Sequence, residues 1–150
     1  MKCLVQRVTE AAVEVAGERI GAIGSGLLVL VGVEKKDDNK NIERMVERLL
    51  GYRLFGDNED RMNRSIRDVS GDLLLVSQFT LAADTKKGAR PSFSSAAEPA
   101  IARTFFDEFV ELIRAQHAGH IATGRFGANM QVELINNGPV TILIDSKNKE

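Results

Sequence analysis

From Gly26 to Val33 the chain runs Gly-Leu-Leu-Val-Leu-Val-Gly-Val, almost without a polar side chain, directly after the break Gly24-Ser25-Gly26. No alternation interrupts this run, so it reads as a β-strand buried on both faces. It is the longest apolar run in the sequence, and it falls well short of the ~20 residues that a membrane-spanning helix needs. A chain of 150 residues fits one domain, and a domain of that size buries close to ~70% of the surface exposed by its unfolded form.

Strands are expected ahead of this run. Lys2 to Val8 alternates, Ala11 to Val15 places Val13 and Val15 on one face, Ala16-Gly17 reads as a turn, and Glu18 to Ile23 returns as a hairpin partner. After it, Asp37 or Asp38 can cap a helix whose Ile42, Met45, Val46, Leu49 and Leu50 share a face until Gly51. Asp57 to Arg64 is polar and reads as a surface loop. Leu73 to Leu81 is the next expected strand, and Ala82 to Ser95 a loop of small and basic residues. A second helix is predicted from Glu98-Pro99, carrying Ile101, Phe105, Phe109, Leu112 and Ile113 inward and stopped by Gly119. Ile121 to Arg125, Met130 to Asn136 and Val140 to Asp145 complete the strands, the last two joined through Asn137-Gly138. The pattern is a single α+β domain with much antiparallel sheet and two main helices packed on it.

Composition narrows the chemistry. Cys3 is the single cysteine and cannot form an intramolecular disulfide; with a strand-like opening in place of a signal sequence, this points to the cytosol. Cys3 itself reads as a small buried apolar residue. The sequence has no HExxH, CxxC, Walker loop or GxSxG, so neither a metal nor a nucleotide cofactor is expected. The two histidines, His117 and His120, fall at the end of the second helix, where a cation complements the negative pole of the helix dipole. With a formal net charge of -1, any nucleic-acid contact must use a local basic patch. Lys86, Lys87 and Arg90 form the densest one, with Lys35 and Lys36 in another loop.

Two segments stand apart. In Ser77-Gln78-Phe79-Thr80-Leu81, polar groups follow the buried run Leu73 to Val76; leaving such groups buried without partners costs roughly 1 to 3 kcal/mol each, so they must face a solvated pocket or a dense hydrogen-bond network. If the strand stays extended, Gln78 and Thr80 share one face, and Ser77 and Phe79 the other. In Asn137-Gly138-Pro139-Val140-Thr141 the backbone matters more than any side chain. Read locally, Asn-Gly signals a two-residue hairpin, with proline opening the following strand.

These two segments, together with Met1 to Val8, Gly24 to Val33, Gly88-Ala89-Arg90-Pro91-Ser92-Phe93 and Thr123 to Met130, resemble the D-aminoacyl-tRNA deacylases in the family's order and over essentially the whole chain. Asn137 departs from the aspartate expected there; both residues tolerate turn conformations. The resemblance implies that the sheet curls into a barrel-like core, that Ser77, Gln78, Phe79 and Thr80 form the catalytic segment, and that the chain is a homodimer acting on the acylated 3' end of tRNA. Gly138-Pro139, with a cis bond, is then expected to enter the partner's site and exclude L side chains while letting glycine esters through. Arg7 is expected to bind main-chain carbonyls of that dipeptide; Pro91, Ser92 and Phe93 are assigned to substrate, and Lys86, Lys87 and Arg90 to tRNA phosphates. Two mechanisms are open. Thr80 can act as a covalent nucleophile, although no base lies nearby in sequence; the preferred alternative is an oriented water with backbone N–H donors at the oxyanion and help from the RNA 2'-hydroxyl. A non-enzymatic RNA-binding module and a purely structural dimer are the competing readings.

Overall fold

The computed structural model describes residues 1–147. One long strand organises it. β1, Lys2–Val15, is continuous over 14 residues, where two strands were expected. Its antiparallel partners are β2 (Glu18–Ile23), β3 (Gly26–Gly32) and β8 (Gln131–Asp145). β8 follows one edge of β1 from Glu14 to Lys2, so β3 and β2 divide the other edge between them, β3 opposite Lys2 to Val8 and β2 opposite Ala11 to Val15.

From β3 the sheet continues in parallel to β6 (Asp72–Ser77) and then to β7 (Ile121–Thr123). β2 folds back toward β7: a Cβ built on Gly21 would lie 3.1 Å from the Thr123 carbonyl oxygen. A side chain there would hold the two strands apart. With the sheet curled this far, its faces separate into an inside and an outside. Leu27, Val29, Val31, Leu73 and Leu75 belong to the core shared with the helices, whereas Leu28, Leu74 and Val76 pack inside the curl with Val8, Val13 and Ala122. The apolar run is thus buried on both faces, as its lack of alternation predicts.

Helix α1, Asn39–Gly51, buries the five expected residues Ile42, Met45, Val46, Leu49 and Leu50. Asp38 is its cap, forming a reciprocal box with Asn41. Asp37 instead accepts from the Met1 amine and from the Glu34 N–H. Asp57 to Arg64 is a β-hairpin tip in place of a plain loop. β4 (Arg53–Gly56) pairs β5 (Met62–Ser65), and a single-turn helix α2 (Ile66–Val69) follows, capped by Ser65. The third helix, α3 (Pro99–Gln116), begins at its proline as expected but ends ahead of Gly119. Its buried stripe is Ala102, Phe106, Phe109, Val110 and Ile113; Phe105 and Leu112 flank this stripe half-buried, and Ile101 is exposed.

The largest departure lies in β8. Asn137-Gly138 does not turn the chain back on itself, because the residues on both sides of it pair with β1. Only Arg7 lies between the paired residues Gln6 and Val8 on β1, whereas Asn137 to Val140 all lie between Asn136 and Thr141 on β8. The surplus is extruded as a wide bulge.

Beside the first turn of α1, charges converge on Glu34, which is 4% exposed. The Met1 amine lies 3.6 Å away, Lys2 Nζ 3.5 Å and Lys147 Nζ 2.6 Å; Ser146 Oγ accepts from the same amine at 2.9 Å. Burial raises the affinity of the Glu34 carboxyl for its proton, but the Lys147 contact, the terminal amine and Lys2 outweigh that effect and hold it below the ordinary value. A carboxyl depressed by folding contributes stability above its unfolded-state range and loses that contribution as pH falls through the folded one. Glu34→Gln is therefore expected to lower stability at pH 7 by about 1 to 2 kcal/mol. In urea titrations the gap between variant and parent should shrink steadily once pH drops below about 4; a gap that stays constant through that range would contradict the account.

Candidate functional site

β6 delivers the polar segment to the mouth of the curled sheet. The Gln78 N–H extends the ladder by donating to Val31 O at 2.7 Å, after which the chain leaves the strand for a 3-10 turn over Phe79–Ala82. The expected strand to Leu81 therefore ends at Ser77, and the two-face assignment of Gln78 and Thr80 falls with it. Within the turn the Gln78 side-chain amide donates to Thr80 Oγ1. The first intraturn backbone bond runs from Leu81 N–H to Gln78 O at 3.3 Å. Phe79 and Thr80 precede it, so their N–H groups have no partner within the turn.

A cleft of about 670 Å³ opens here. Val31, Val33 and Val76 form its apolar back, Ser77, Gln78 and Phe79 one lip, and Ala97, Ala102 and Phe106 of α3 and its approach another wall. The remaining wall is Phe126 to Met130 with Val132. Phe79, 58% exposed, meets Phe93 edge to face across the mouth with ring centres 5.1 Å apart. Charged side chains are sparse, Lys35 and Glu98 alone lining the cleft. Hydrophobic walls with a few convergent polar groups are the usual make-up of a small-molecule site.

The loop after the turn is folded on itself. Asp84 and Ser92 exchange backbone bonds of 2.7 and 2.9 Å, and the Ser95 hydroxyl donates to Ala82 O at 2.7 Å. This closure holds Phe93 at the cleft and leaves Lys86, Lys87, Arg90, Pro91 and Ser92 exposed beside it.

Among the expected site residues, then, Ser77, Gln78, Phe79 and Phe93 line one cleft. Thr80, Pro91 and Ser92 lie next to it without lining it. Arg7, Gly138 and Pro139 are brought together elsewhere. The Arg7 guanidinium donates from Nε to Asn137 O at 3.0 Å and from Nη1 to Leu54 O at 2.7 Å, so it grips the β8 bulge of its own chain. At the crest of that bulge the Gly138-Pro139 bond is cis, Gly138 has φ +143°, and both residues are exposed. The stretch Phe126 to Met130 was not assigned to the site from sequence; its only signal is membership of the Thr123 to Met130 motif.

Neither histidine reaches the cleft. His117 is buried, its Nε2 2.7 Å from Gly71 O, and His120 Nε2 lies 3.2 Å from Ala22 O. His117, the C-cap of α3, thus meets the segment just ahead of β6, and His120 meets β2, contacts that go beyond the expected place at the negative end of the helix. Cys3 is buried, and that burial pushes its thiol far above the ordinary range. Among the described residues no three His, Cys, Asp or Glu side chains are grouped so as to hold a metal ion, and no helix is long and apolar enough to cross a membrane.

Known proteins resemble this chain over nearly its whole length. The chain is 59% identical over 146 residues to a D-aminoacyl-tRNA deacylase of Teredinibacter turnerae, covering 97% of this chain and 100% of the other. It is 60% identical over 145 residues to one of Ectopseudomonas mendocina, covering 97% and 99%. A solved chain described as a c-Myc DNA unwinding element binding protein superposes with a TM-score of 0.95 at 42% identity, covering 99% and 100%. A probable eukaryotic D-amino acid tRNA deacylase shares the fold, with a TM-score of 0.82 at 16% identity over 95% and 97% of the two chains. Residues 4–145 match the family model described as D-Tyr-tRNA(Tyr) deacylase, and with relatives this similar over its full length the chain belongs to that family.

Proposed function

We infer that this protein hydrolyses the ester joining a D-amino acid to the terminal ribose of tRNA, and that it also releases glycine. The observation that carries the reading is the cleft itself: a largely apolar chamber with Ser77, Gln78 and the start of the Phe79–Ala82 turn at one lip and few charged side chains in its lining. Among the described residues no histidine, lysine or carboxylate is hydrogen-bonded to the Ser77 or Thr80 hydroxyl, so neither is activated as a nucleophile. An aminoacyl ester does not need one. It is already labile, and its hydrolysis asks for an oriented water and for donors aimed where the carbonyl oxygen becomes negative.

In this mechanism the amino-acid side chain enters the apolar chamber, and the carbonyl oxygen meets the N–H groups of Phe79 and Thr80. Gln78 and Ser77 fix the approach of water, and the vicinal 2'-hydroxyl of the ribose relays the proton. Thr80 acts through Gln78, whose amide it receives, in place of forming a covalent intermediate. The Phe79 and Phe93 rings offer a stacking surface to a base of the single-stranded 3' end, and Lys86, Lys87 and Arg90 meet its phosphates.

Selectivity against L substrates is assigned to Gly138-Pro139 of a second copy in a homodimer. Two features support that reading. The dipeptide projects from β8 outside the lining of its own cleft, and exposed Ile135 and Leu143 flank it on the same strand at 53% and 56%. A main-chain wall distinguishes mirror images by a clash, which an apolar chamber alone does not do. We place the reaction in the cytosol, and no metal enters it.

Purified protein given matched D-tyrosyl-, L-tyrosyl- and glycyl-tRNA with a chelator present is expected to cleave the D and glycyl esters and spare the L ester. No cleavage of any of them would leave a nucleic-acid-binding module as the better reading. Thr80→Ala should slow turnover by about ten- to a hundredfold and leave it measurable, whereas complete loss of turnover would restore the covalent mechanism. A D-tyrosyl substrate ending in 2'-deoxyribose should be deacylated far more slowly; an unchanged rate removes the 2'-hydroxyl from the mechanism. Replacing Lys86 and Lys87 by alanine should weaken tRNA binding and reduce the slope of log K against log salt by about one to two. An unaltered slope would move the phosphate contacts to another face.

A further inference from the structure

The bulge that carries Gly138 and Pro139 is long and exposed, yet it has a defined shape, and the residues supplying that shape lie at its base. The Val140 N–H donates to Asn136 Oδ1 at 2.9 Å, and Asn136 Nδ2 donates to Thr141 Oγ1 at 2.8 Å. Gln6 Nε2, from the opposite strand, donates to the same hydroxyl at 3.3 Å. The amide orientation follows from chemistry: a backbone N–H needs an acceptor, so the oxygen must face Val140, leaving the nitrogen for Thr141. One side chain thus bridges both ends of the extruded segment.

We propose that Asn136, with Thr141 as its partner, is a positioning residue for enantiomer selectivity, bracing the Gly138-Pro139 bulge from within its own chain. This rests on the reading that the bulge supplies the wall that excludes L substrates. Rejecting an L side chain by a clash demands that the obstructing atoms hold their place, because a wall free to move by an ångström yields to the wrong substrate. Arg7 restrains only the leading side of the bulge, through the Asn137 carbonyl. On the trailing side the Val140 side chain packs against the core, and its N–H is held by Asn136 Oδ1. Gly138 and Val140 lie so close that a Cβ on Gly138 would come within 2.7 Å of Val140 Cγ2 and 2.9 Å of Val140 N, so what fixes Val140 bears directly on the crest. Gly138 and Val140 are already in close register, and Asn136 holds Val140.

The decisive quantity is the ratio of kcat/KM for L-tyrosyl- to D-tyrosyl-tRNA. A merely structural defect lowers both and leaves the ratio alone. Asn136→Leu, similar in size and unable to hydrogen-bond, is expected to raise the ratio about tenfold. Asn136→Asp should keep it near the parent value, because a carboxylate accepts from the Val140 N–H and from the Thr141 hydroxyl once that rotates to donate. Thr141→Val, at an exposed position, gives a second route should the leucine variant fail to fold, and is expected to raise the ratio by a smaller factor. Pro139→Gly serves as the reference for the wall. If Pro139→Gly raises the ratio while Asn136→Leu and Thr141→Val leave it unchanged, the wall stands and the brace is overturned. If none of the three shifts it, the wall reading falls and takes the brace with it. An increase in the Asp variant equal to that in the Leu variant would also overturn the hydrogen-bonded brace.

Discussion

β1 is hydrogen-bonded along both edges for most of its length, and the remaining elements take their places from it. β8 occupies one edge from Glu14 to Lys2, while β3 and β2 share the other. A strand paired on both sides cannot slip without disturbing three ladders at once, and a slip of one residue would also send Cys3, Val5 and Val8 from buried faces to exposed ones. Register fixed in this way lets the sheet tolerate a defect. The bulge in β8 has intact pairing on either side of it, so the extruded residues are held at both ends by the same partner strand.

The second constraint is double burial. β3 and β6 present alternate side chains to the helix-covered core and to the interior of the curl, and neither strand exposes a face to water. Polar groups are therefore excluded from this part of the sheet until β6 ends, which is why Ser77 and Gln78 appear at the mouth and not along the strand. The cleft is in this sense the open end of the hydrophobic interior. Its apolar back is continuous with the packing inside, and Ser77 and Gln78 stand at its lip.

How much of this the sequence disclosed depends on the range of the interaction involved. The two-faced β3 and the inward stripe of α1 are local patterns and were legible residue by residue. In α3 the stripe is rotated, because Ile101 attracts the assignment by its hydrophobicity while the smaller Ala102 is the residue that meets the core. Asp37 and Asp38 are indistinguishable as caps until the Met1 amine, remote in sequence, claims the first. Asn137-Gly138 carries a strong local signal for a hairpin, which is overruled by pairing with β1 on both sides of it. The site divides along the same line. Polar residues at the end of a buried run announced Ser77 to Phe79, but Phe126 to Met130 show no periodicity, and their place in the cleft is set by the tertiary arrangement.

Under the proposed function, the ester's own lability accounts for assigning catalysis and discrimination to such different materials. For a substrate that hydrolyses readily, a few oriented donors at a turn are enough, and a powerful nucleophile would attack correctly charged tRNA as well. Selectivity then becomes the harder task, since enantiomers share every group and differ only in where the side chain points. Attraction to a side-chain pocket separates such substrates poorly; an obstacle fixed in the path of one of them separates them well. Backbone is suited to that role because its carbonyls cannot rotate away as a side chain can. It must in turn be anchored, and the bulge has anchors of two kinds: a charged fork from Arg7 of β1 on one side and a neutral amide bridge from Asn136 of β8 itself on the other. The fork reaches from β1 to the bulge and to the β4–β5 hairpin through Leu54, which ties the bulge to the body of the domain, whereas the amide closes the bulge on itself. The first bears on where the crest stands and the second on its shape, and the steric filter proposed for it needs both.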